Sequence, residues 1–347
     1  MINDEFYMSL ALKEGWRYQC LTYPNPAVGA ALLDRNGRLI AVAAHKKAGG
    51  AHAEVEAFRE GFLAVSPSGE ACEKLRTITS AAEVVDFLRT HHNGVFKGAT
   101  LFVTLEPCAS EGKTPACAPL VADLGVSRLV YGTLDPTPKM GGGAEFLRNR
   151  KVAVKALVLQ GECDRLLAPF LMWQKGSFVL FKWASRLSGT IDGGTISGDL
   201  AHDETHRMRS IADLLVVGGN TVRTDRPTLD ARRVKGRAPN LAILSKHGDF
   251  DSAIPLFGVA DRKVTIEQEL PRVHGFTLIE GGNKLLNALW QRIDWLLCYQ
   301  SVSLQSGECT MKCDRQTKMI WADRLGDDAR IWLSAHQDPF SHGDTHE

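Results

Sequence analysis

Two segments decide the fold of the first half of this chain: Ala51–Glu54 (AHAE) and Thr100–Cys108 (TLFVTLEPC). The second segment is a run of apolar residues that predicts a buried strand ending at Glu106-Pro107-Cys108. The first segment opens a predicted helix, and Cys117, separated from Cys108 by eight residues, opens another. The sequence therefore places one histidine and two cysteines at points where predicted strands and helices meet.

Around these segments, short apolar runs alternate with helical stretches, a pattern typical of a mostly parallel sheet covered by helices. Strands are predicted at 27–34, 38–43, 100–105, 127–132 and 152–158, and helices near 53–60 and 116–124. The first two strands are joined through Asn36-Gly37, a dipeptide that favours a tight hairpin turn. Residues 61–98 break the alternation, and we interpret them as a surface insertion with one helix at 80–90.

The same alternation restarts in the second half of the chain, which we interpret as a second α/β domain. Strands are predicted at 178–183, 213–218, 241–245, 276–280 and 295–300, and helices at 201–210 and 282–291. The length of 347 residues also fits two domains of typical size. The predicted division is a first domain at 1–150, a helical connector at 151–175 and a second domain at 176–347, with a frayed tail after 335.

Composition excludes several classes of protein. The chain has 41 Lys+Arg against 40 Asp+Glu, and neither half is strongly basic, which argues against nucleic-acid partners. It contains no apolar run of about 18 residues, so we expect no membrane-spanning helix. Eight cysteines without an export signal favour a reducing, cytoplasmic location. We expect a small-molecule substrate and a homo-oligomer, a dimer or higher.

His52, Cys108 and Cys117 form the donor set of a catalytic zinc site, in which three protein ligands leave one position for water. Zinc lowers the pKa of that water, and Glu54, two residues from His52, can reach it and move protons. One alternative is that His52 caps a helix and both cysteines belong to the core. Another is a structural zinc in a non-catalytic protein, but that site normally needs a fourth protein ligand.

This set resembles the zinc-dependent nucleobase deaminases, whose signature is His-x-Glu with a downstream Pro-Cys-x-x-Cys. The longer cysteine spacing, together with Tyr23–Gly29 (YPNPAVG) and Thr104–Cys108 (TLEPC), is similar to the bifunctional deaminase/reductase family of riboflavin biosynthesis. The resemblance covers nearly the whole chain. It implies a cytidine-deaminase-like three-layer first domain and a dihydrofolate-reductase-like α/β second domain.

The resemblance implies hydrolytic deamination of 2,5-diamino-6-ribosylamino-4(3H)-pyrimidinone 5′-phosphate, with zinc held by the three ligands and Glu54 as the proton shuttle. The implied substrate contacts of the first half are Asn25, His45, Lys113 and Thr114. The last two would hold the substrate phosphate, as a cation and a hydroxyl can. The chain departs from the family at Ala109–Glu111, where histidines are usual, and at Thr137, where the family usually has asparagine.

The second half lacks the Gly-x-Gly-x-x-Gly fingerprint of dinucleotide-binding proteins. Two glycine turns follow predicted strands instead, Val217–Thr221 (VGGNT) and Ile279–Asn283 (IEGGN), and such turns offer N–H groups to phosphate. Both are similar to the family's reductase motifs. The resemblance implies that NADPH reduces the ribosyl group to a ribityl chain.

The resemblance also implies roles for residues of the second half. The implied catalytic residue is Asp225, and the implied substrate contacts are Arg209, Leu229, Arg232 and Glu280. The implied NADPH contacts are Thr221, Asp225, Lys246, Gly281, Gly282 and Asn283. The chain departs from the family at Arg186–Gly189, Gly193–Ser197 and Arg226. An alternative is therefore a deaminase whose second domain binds or dimerises without hydride transfer.

Overall fold

The computed structural model describes residues 3–66, 68–112, 114–137 and 140–336. The chain divides into two compact units, Met1–Phe170 and Leu171–Glu347. The division falls inside a helix, Gln160–Lys175, that occupies most of the region predicted as a connector. Apart from His336, the predicted frayed tail lies outside the described residues.

The first unit combines helices with a mixed sheet. The helices are α1 (Asp4–Trp16), α2 (Ala53–Val65), α3 (Glu70–Thr77), α4 (Ala81–His91), α5 (Cys117–Asp123), α6 (Gly143–Asn149) and the first part of α7 (Gln160–Lys175). The strands are β1 (Gly29–Leu33), β2 (Leu39–Ala44), β3 (Thr100–Leu105), β4 (Arg128–Thr133) and β5 (Ala153–Lys155). The sheet order is β2-β1-β3-β4-β5.

The expectation of a mostly parallel sheet is wrong for the first unit. Strands β3, β4 and β5 are parallel, but β1 runs antiparallel to both β2 and β3. The reason is the tight Asn36-Gly37 turn, because a hairpin joins antiparallel neighbours and lacks the crossover that a parallel pair needs. The hairpin thus adds an antiparallel edge to a parallel core.

Helix α1 is absent from the sequence-based expectations. Asn3 caps it, since its side chain accepts a hydrogen bond from Phe6 N at 3.1 Å. The helix packs closely on β1, where a Cβ at Gly29 would lie 1.8 Å from Ala11 O. Only glycine at this position lets the helix and the strand approach so closely.

The segment 61–98, predicted as a surface insertion with one helix, contains the end of α2 and the helices α3 and α4 in its described part. Helix α2 continues to Val65, and α4 begins after Ser80, whose side chain accepts from Glu83 N. The rings of Phe62 and Phe87 join α2 to α4 at a centroid distance of 5.9 Å. Helix α3 was not predicted. Arg59 donates to the carbonyls that end it, which is a contact with a distant side chain.

The second unit is built on a longer sheet. Its strands are β6 (Ser177–Arg186), β7 (Leu214–Gly218), β8 (Asn240–Leu244), β9 (Val264–Glu267), β10 (Gly275–Glu280), β11 (Trp295–Ser301), β12 (Lys318–Leu325) and β13 (Asp328–Ser334). Its helices include α8 (Asp199–Ile211), α9 (Gly219–Asp225) and α10 (Asn283–Leu289). The sheet order is β12-β13-β11-β6-β10-β7-β8-β9.

The strands from β11 to β9 in this order are parallel, whereas β13 runs antiparallel to its two neighbours, β11 and β12. Parallel strands bring their carboxyl ends to one edge, where ligands of open α/β sheets usually bind. Strands β6, β7, β8 and β10 therefore deliver Arg186, Gly218, Leu244 and Glu280 to the same edge.

Two general findings bear on location and chemistry. Over the described part of the chain, no helix has both the length and the apolarity needed to cross a bilayer. All eight cysteines are free. Cys309 is exposed and Cys313 is partly exposed, whereas the remaining cysteines are buried.

Candidate active sites

The first unit brings three ligand residues together at one point. His52 precedes α2, Cys108 follows β3, and Cys117 is the first residue of α5. The His52 Nδ1 atom lies 3.4 Å from Cys117 Sγ and 3.7 Å from Cys108 Sγ. Their ligand atoms all lie within 4.8 Å of one another. One ion bonded to all three at about 2.0–2.3 Å fits this spacing, so the donor set suits zinc.

The first residues of α5 donate hydrogen bonds to Cys108, one of the predicted metal ligands. The Cys117 N–H donates to Cys108 Sγ at 3.3 Å, and the Ala118 N–H donates to Cys108 O at 3.0 Å. The hydrogen bond from the Cys117 thiol, together with His52, lowers the pKa of Cys108 to about 4. The same bond and burial raise the pKa of Cys117. These contacts favour the thiolate form of Cys108, and a bound metal would displace the thiol proton of Cys117.

Glu54 lies beside this cluster but outside the ligand set. It is buried in the first turn of α2 and hydrogen-bonds to Cys117. Burial raises the pKa of Glu54 to about 6, closer to neutrality than an exposed glutamate. A carboxyl group with such a pKa, at this position, is suited to general acid and base catalysis.

Asn25 and His45 form a neutral pair next to the ligands. The Nδ1 atom of His45 bonds to Ala51 O at 2.9 Å, so Nε2 accepts from Asn25 Nδ2 at 3.1 Å. Burial lowers the pKa of His45 to about 4, which keeps the ring uncharged. Its centroid lies 5.6 Å from that of His52. Two predicted substrate contacts therefore lie together at the predicted metal site.

Thr114 has a contact that the sequence did not indicate. Its Oγ1 lies 3.0 Å from Nε2 of His52, the ring nitrogen opposite the two sulfurs. Partners of this kind fix the orientation of a metal-binding histidine. Lys113, predicted beside it as a phosphate contact, lies outside the described residues.

The second unit places an ion pair at the carboxyl edge of its parallel strands. Glu280 ends β10, and Arg209 of α8 donates to its carboxylate from Nε at 2.6 Å and from Nη2 at 2.8 Å. Both side chains are nearly buried, at 12% and 13% exposure. Burial alone would raise the pKa of Glu280, but Arg209 and Lys182 outweigh it and lower the pKa to about 2. Two predicted substrate contacts thus form one charged cluster.

Lys182 was missed in the sequence. Its Nζ lies 3.9 Å from Glu280 Oε2 and 5.5 Å from the ring centroid of Tyr299. Burial lowers the pKa of this lysine. The signal was present, because Lys182 interrupts the apolar strand β6 (SFVLFKWASR), and lysines are rarely buried unless paired.

The loop after α9 connects to the same cluster. The Asp230 carbonyl accepts from Arg209 at 3.3 Å, and the Asp230 carboxylate binds Arg232 at 2.7 Å. Leu229 is buried, and its φ of 55° is left-handed. Burial raises the pKa of Asp225. Leu229 and Arg232 are therefore tied to the Arg209–Glu280 pair through one neighbouring residue.

Arg226, one of the departures from the family pattern, has a partner outside the Arg209–Glu280 pair. Its guanidinium binds Asp251 at 2.6 Å, and both side chains are about half exposed. Its φ of 43° is left-handed, so the backbone reverses direction directly after Asp225. Arg226 directly follows helix α9, so Asp225 is the last residue of that helix.

The two glycine segments differ from each other. Of the segment Val217–Thr221, the first two residues end β7, and the other three, with Thr221 among them, are the start of helix α9. A Cβ at Gly281 would lie 2.8 Å from Leu285 Cδ2, so this turn packs tightly on α10. Lys246 lies beyond β8, close to the same edge. Backbone amides and basic side chains at this edge suit a phosphate-bearing cofactor such as NADPH.

Asn283 has a structural task as well. Its side chain donates to Thr310 O and accepts from Lys312 N at 2.6 Å. It thereby anchors the segment 310–312 beside the glycine turn. The structure does not bring its side-chain amide to an open position, so a cofactor contact by Asn283 would involve its backbone.

The altered motif at Arg186 is folded around that residue. Arg186 is 2% exposed, and its guanidinium donates to the carbonyls of Asp192, Gly193 and Thr195. A buried arginine thus fixes the shortened loop that follows β6.

Comparison with known protein families places both halves. Residues 1–133 match the cytidine and deoxycytidylate deaminase zinc-binding region. Residues 183–301 match the RibD C-terminal domain. These matches confirm the predicted deaminase-like first domain and the reductase-type second domain.

Individual relatives agree with the family matches. The riboflavin biosynthesis protein RibD of Aquifex aeolicus is 33% identical over 278 residues, which are 78% of this chain and 67% of the relative. The RibD protein of Corynebacterium ammoniagenes is 28% identical over 313 residues, 84% of this chain and 83% of that protein.

A solved structure from Thermotoga maritima is similar over both units. It is a diaminohydroxyphosphoribosylaminopyrimidine deaminase/5-amino-6-(5-phosphoribosylamino)uracil reductase. It shares 27% identity and a TM-score of 0.60, and the match covers 95% of this chain and 98% of that chain. The similarity therefore extends beyond either half alone.

Proposed function

The chain belongs to the RibD family of bifunctional riboflavin-biosynthesis deaminase/reductases, and from this premise we propose which residues carry each reaction. The first unit is a zinc-dependent deaminase, a hydrolase, and the second is an NADPH-dependent reductase, an oxidoreductase. Following the relative from Thermotoga maritima, the proposed first substrate is 2,5-diamino-6-ribosylamino-4(3H)-pyrimidinone 5′-phosphate. The reductase then acts on the deaminated uracil product.

The deaminase proposal rests above all on the joint position of three ligands and Glu54. His52, Cys108 and Cys117 would hold zinc, which when bound supplies a water of lowered pKa. Glu54 would take up a proton at its carboxylate and pass it to the departing amino group. The ring carbon loses its C–N bond and gains a carbonyl oxygen, and ammonia leaves.

Asn25 and His45 are the proposed contacts with the pyrimidine ring. Their mutual hydrogen bond fixes both side chains beside the ligands before substrate binds. Lys113 and Thr114 are the proposed phosphate contacts. Thr114 would then serve two partners, since its hydroxyl also bonds to His52 in this structure.

The reductase proposal rests on the buried cluster of Lys182, Arg209 and Glu280. NADPH supplies the hydride that reduces C1′ of the ribosyl group to the ribityl chain. Glu280 holds Lys182 and Arg209 in place through their charges. The ammonium of Lys182 can donate a proton to the sugar oxygen as the ring opens.

The remaining contacts of the second unit are proposed from the resemblance to the family's reductase motifs. Asp225 is proposed to lie by the nicotinamide and the sugar. Leu229 and Arg232 belong to the loop that touches Arg209 through Asp230. The proposed NADPH contacts are Thr221, Asp225, Lys246, Gly281, Gly282 and Asn283.

A coupled assay tests both halves at once. The purified chain would receive the diaminopyrimidinone substrate, made enzymatically from GTP, and ammonia release and NADPH oxidation would be followed together. The expected result is both signals from one preparation. Ammonia without NADPH loss would reduce the second unit to a binding or dimerising module.

The zinc assignment has its own test. The double variant C108S/C117S should lose both metal and ammonia release, whereas C163A, at a buried cysteine away from the cluster, should keep both. Metal content by mass spectrometry gives the direct readout. Full metal retention in the double variant would refute the assignment.

We further propose that the enzyme is a homo-oligomer, a dimer or higher, and that it works in the cytoplasm. The free state of all eight cysteines supports a reducing compartment. Light scattering under reducing conditions measures the oligomeric state, and a monomer at all concentrations would contradict the first proposal.

A further inference from the structure

Arg262, in the loop before β9, binds main-chain carbonyls of another loop. Its Nη1 donates to Leu229 O at 2.6 Å, and its Nη2 donates to Thr228 O at 3.0 Å and to Leu256 O. In the part of the chain that the structure describes, no carboxylate lies within ion-pair distance of this guanidinium. Its charge is therefore used to hold backbone rather than to neutralise an acid.

The loop that Arg262 holds needs external support. Leu229 has a φ of 55°, and a residue with a side chain keeps such a left-handed backbone only where its surroundings fix it. Pro227 O accepts from Leu256 N at 3.1 Å, so the same loop is tied to the short turn Pro255–Gly258. Arg262 completes this attachment by binding carbonyls on both sides of it.

The attached loop carries the proposed substrate contacts. Asp230, directly after Leu229, accepts from Arg209 with its carbonyl and binds Arg232 with its carboxylate. A shift of the Leu229 backbone would therefore move the partner that orients both arginines. Displacements of about 1 Å far from the chemistry can cost enzymes about a hundredfold in rate.

We propose that Arg262 is a positioning residue for the substrate-binding loop Pro227–Arg232 of the reductase unit. It touches neither substrate nor cofactor, and it acts by fixing the backbone at Thr228 and Leu229. The proposal rests on the proposed reductase function for the meaning of this loop. The attachment itself is a property of the fold.

Lysine at this position would keep the charge but lose the planar fork that reaches several carbonyls at once. R262K should therefore raise the KM for the uracil substrate about tenfold, while the KM for NADPH stays within about twofold. Ammonia release by the first unit should not change. The matched control is K263M, which alters the exposed neighbouring side chain and should leave all values unchanged.

A second readout does not depend on turnover. Hydrogen exchange of the Leu256 amide, which bonds to Pro227 O, and of the Val234 amide, which bonds to Ala231 O, should be about tenfold faster in R262K. Amides of β10 should keep their parent rates. If R262K does not accumulate in a folded form, R262Q is measured in the same way.

The outcomes separate the two proposals. Unchanged exchange at both amides, or a KM for the uracil substrate equal to that of K263M, would overturn the role of Arg262. Equal rises in both KM values would also overturn it, because they would indicate a general loss of structure. If the parent oxidises no NADPH, the reductase proposal fails, and the exchange rates still decide whether Arg262 fixes the loop.

Discussion

At the scale of single residues, the three metal ligands could be predicted from the sequence, whereas fewer of the contacts around them could. His52, Cys108 and Cys117 are recognisable because zinc chemistry restricts residue type and spacing. The contact of Thr114 with His52 depends on the path of the loop between the cysteines, which no local pattern fixes. Lys182 could have been predicted as a functional residue, because a lysine is rare within an apolar strand.

Glu54→Gln gives the sharpest prediction at this scale. The amide keeps the size of the side chain but cannot accept and release a proton, so ammonia release should fall about a thousandfold. Zinc content should remain at the parent value, because Glu54 is outside the ligand set. Paired activity and metal measurements check this, and loss of metal in the variant would mean that Glu54 holds the ion.

At the scale of secondary-structure elements, the strands made of apolar runs were predicted well, whereas the two strands at one edge of the second sheet were not. Strand β3 has the predicted bounds; β7, β10 and β11 differ from prediction by one residue at one end, and β8 is shifted by one residue. Strands β12 and β13 were missed because neither has a buried apolar face: only Ile320 is buried in β12, and the buried face of β13 carries Asp328 and Arg330. Their pairing depends on β11, which is a contact distant in sequence.

A buried ion network joins α8 to this C-terminal hairpin. Arg330 of β13 binds Glu204 of α8 at 2.7 Å, and the two side chains are 2% and 4% exposed. R330M should destabilise the second unit by about 3–5 kcal/mol, because it leaves the buried Glu204 carboxylate without its counter-charge and with only the Tyr299 hydroxyl as a partner. R324M, at the exposed pair Arg324–Asp327, should cost under about 1 kcal/mol. Urea unfolding measures both, and equal costs would contradict the prediction.

A second ion pair joins α1 to the sheet of the first unit. Hydrogen bonds from Arg128 and Lys155 lower the pKa of Asp4 to about 2. A lowered pKa contributes stability above about pH 4 that is lost as the pH falls through about 2. D4N should therefore cost about 1 kcal/mol at pH 7, after allowance for partial exposure, and almost nothing near pH 2. Calorimetry across this range checks it, and a constant difference would exclude the linkage.

At the scale of the whole molecule, the sequence indicated two α/β domains with different chemistry. Alternating elements made this division visible, and the two motif sets assigned a reaction to each half. Asn36-Gly37 indicated the hairpin of the first sheet, but the antiparallel pairing of β1 with β3 and the packing of the helices at 61–98 were not foreseen. Both depend on contacts between segments distant in sequence, which local periodicity does not contain.

Two single-site variants test the division of labour. E54Q should stop ammonia release and K182M should stop NADPH oxidation, each without effect on the other reaction given its own substrate. Because each variant retains one intact unit, an equimolar mixture supplied with the first substrate should release ammonia and oxidise NADPH. A mixture that releases ammonia but oxidises no NADPH would mean that the intermediate must stay on one chain.

The uneven exposure of the cysteines has a practical consequence for handling this enzyme. Thiol reagents and air will encounter Cys309 and Cys313 first, since the remaining thiols are buried. Oxidation at Cys309 can link two molecules covalently without touching the metal ligands, and the product would migrate as a dimer on a non-reducing gel. A fluorescent maleimide at low concentration would label Cys309 and Cys313, which lie on either side of the segment 310–312 that Asn283 anchors.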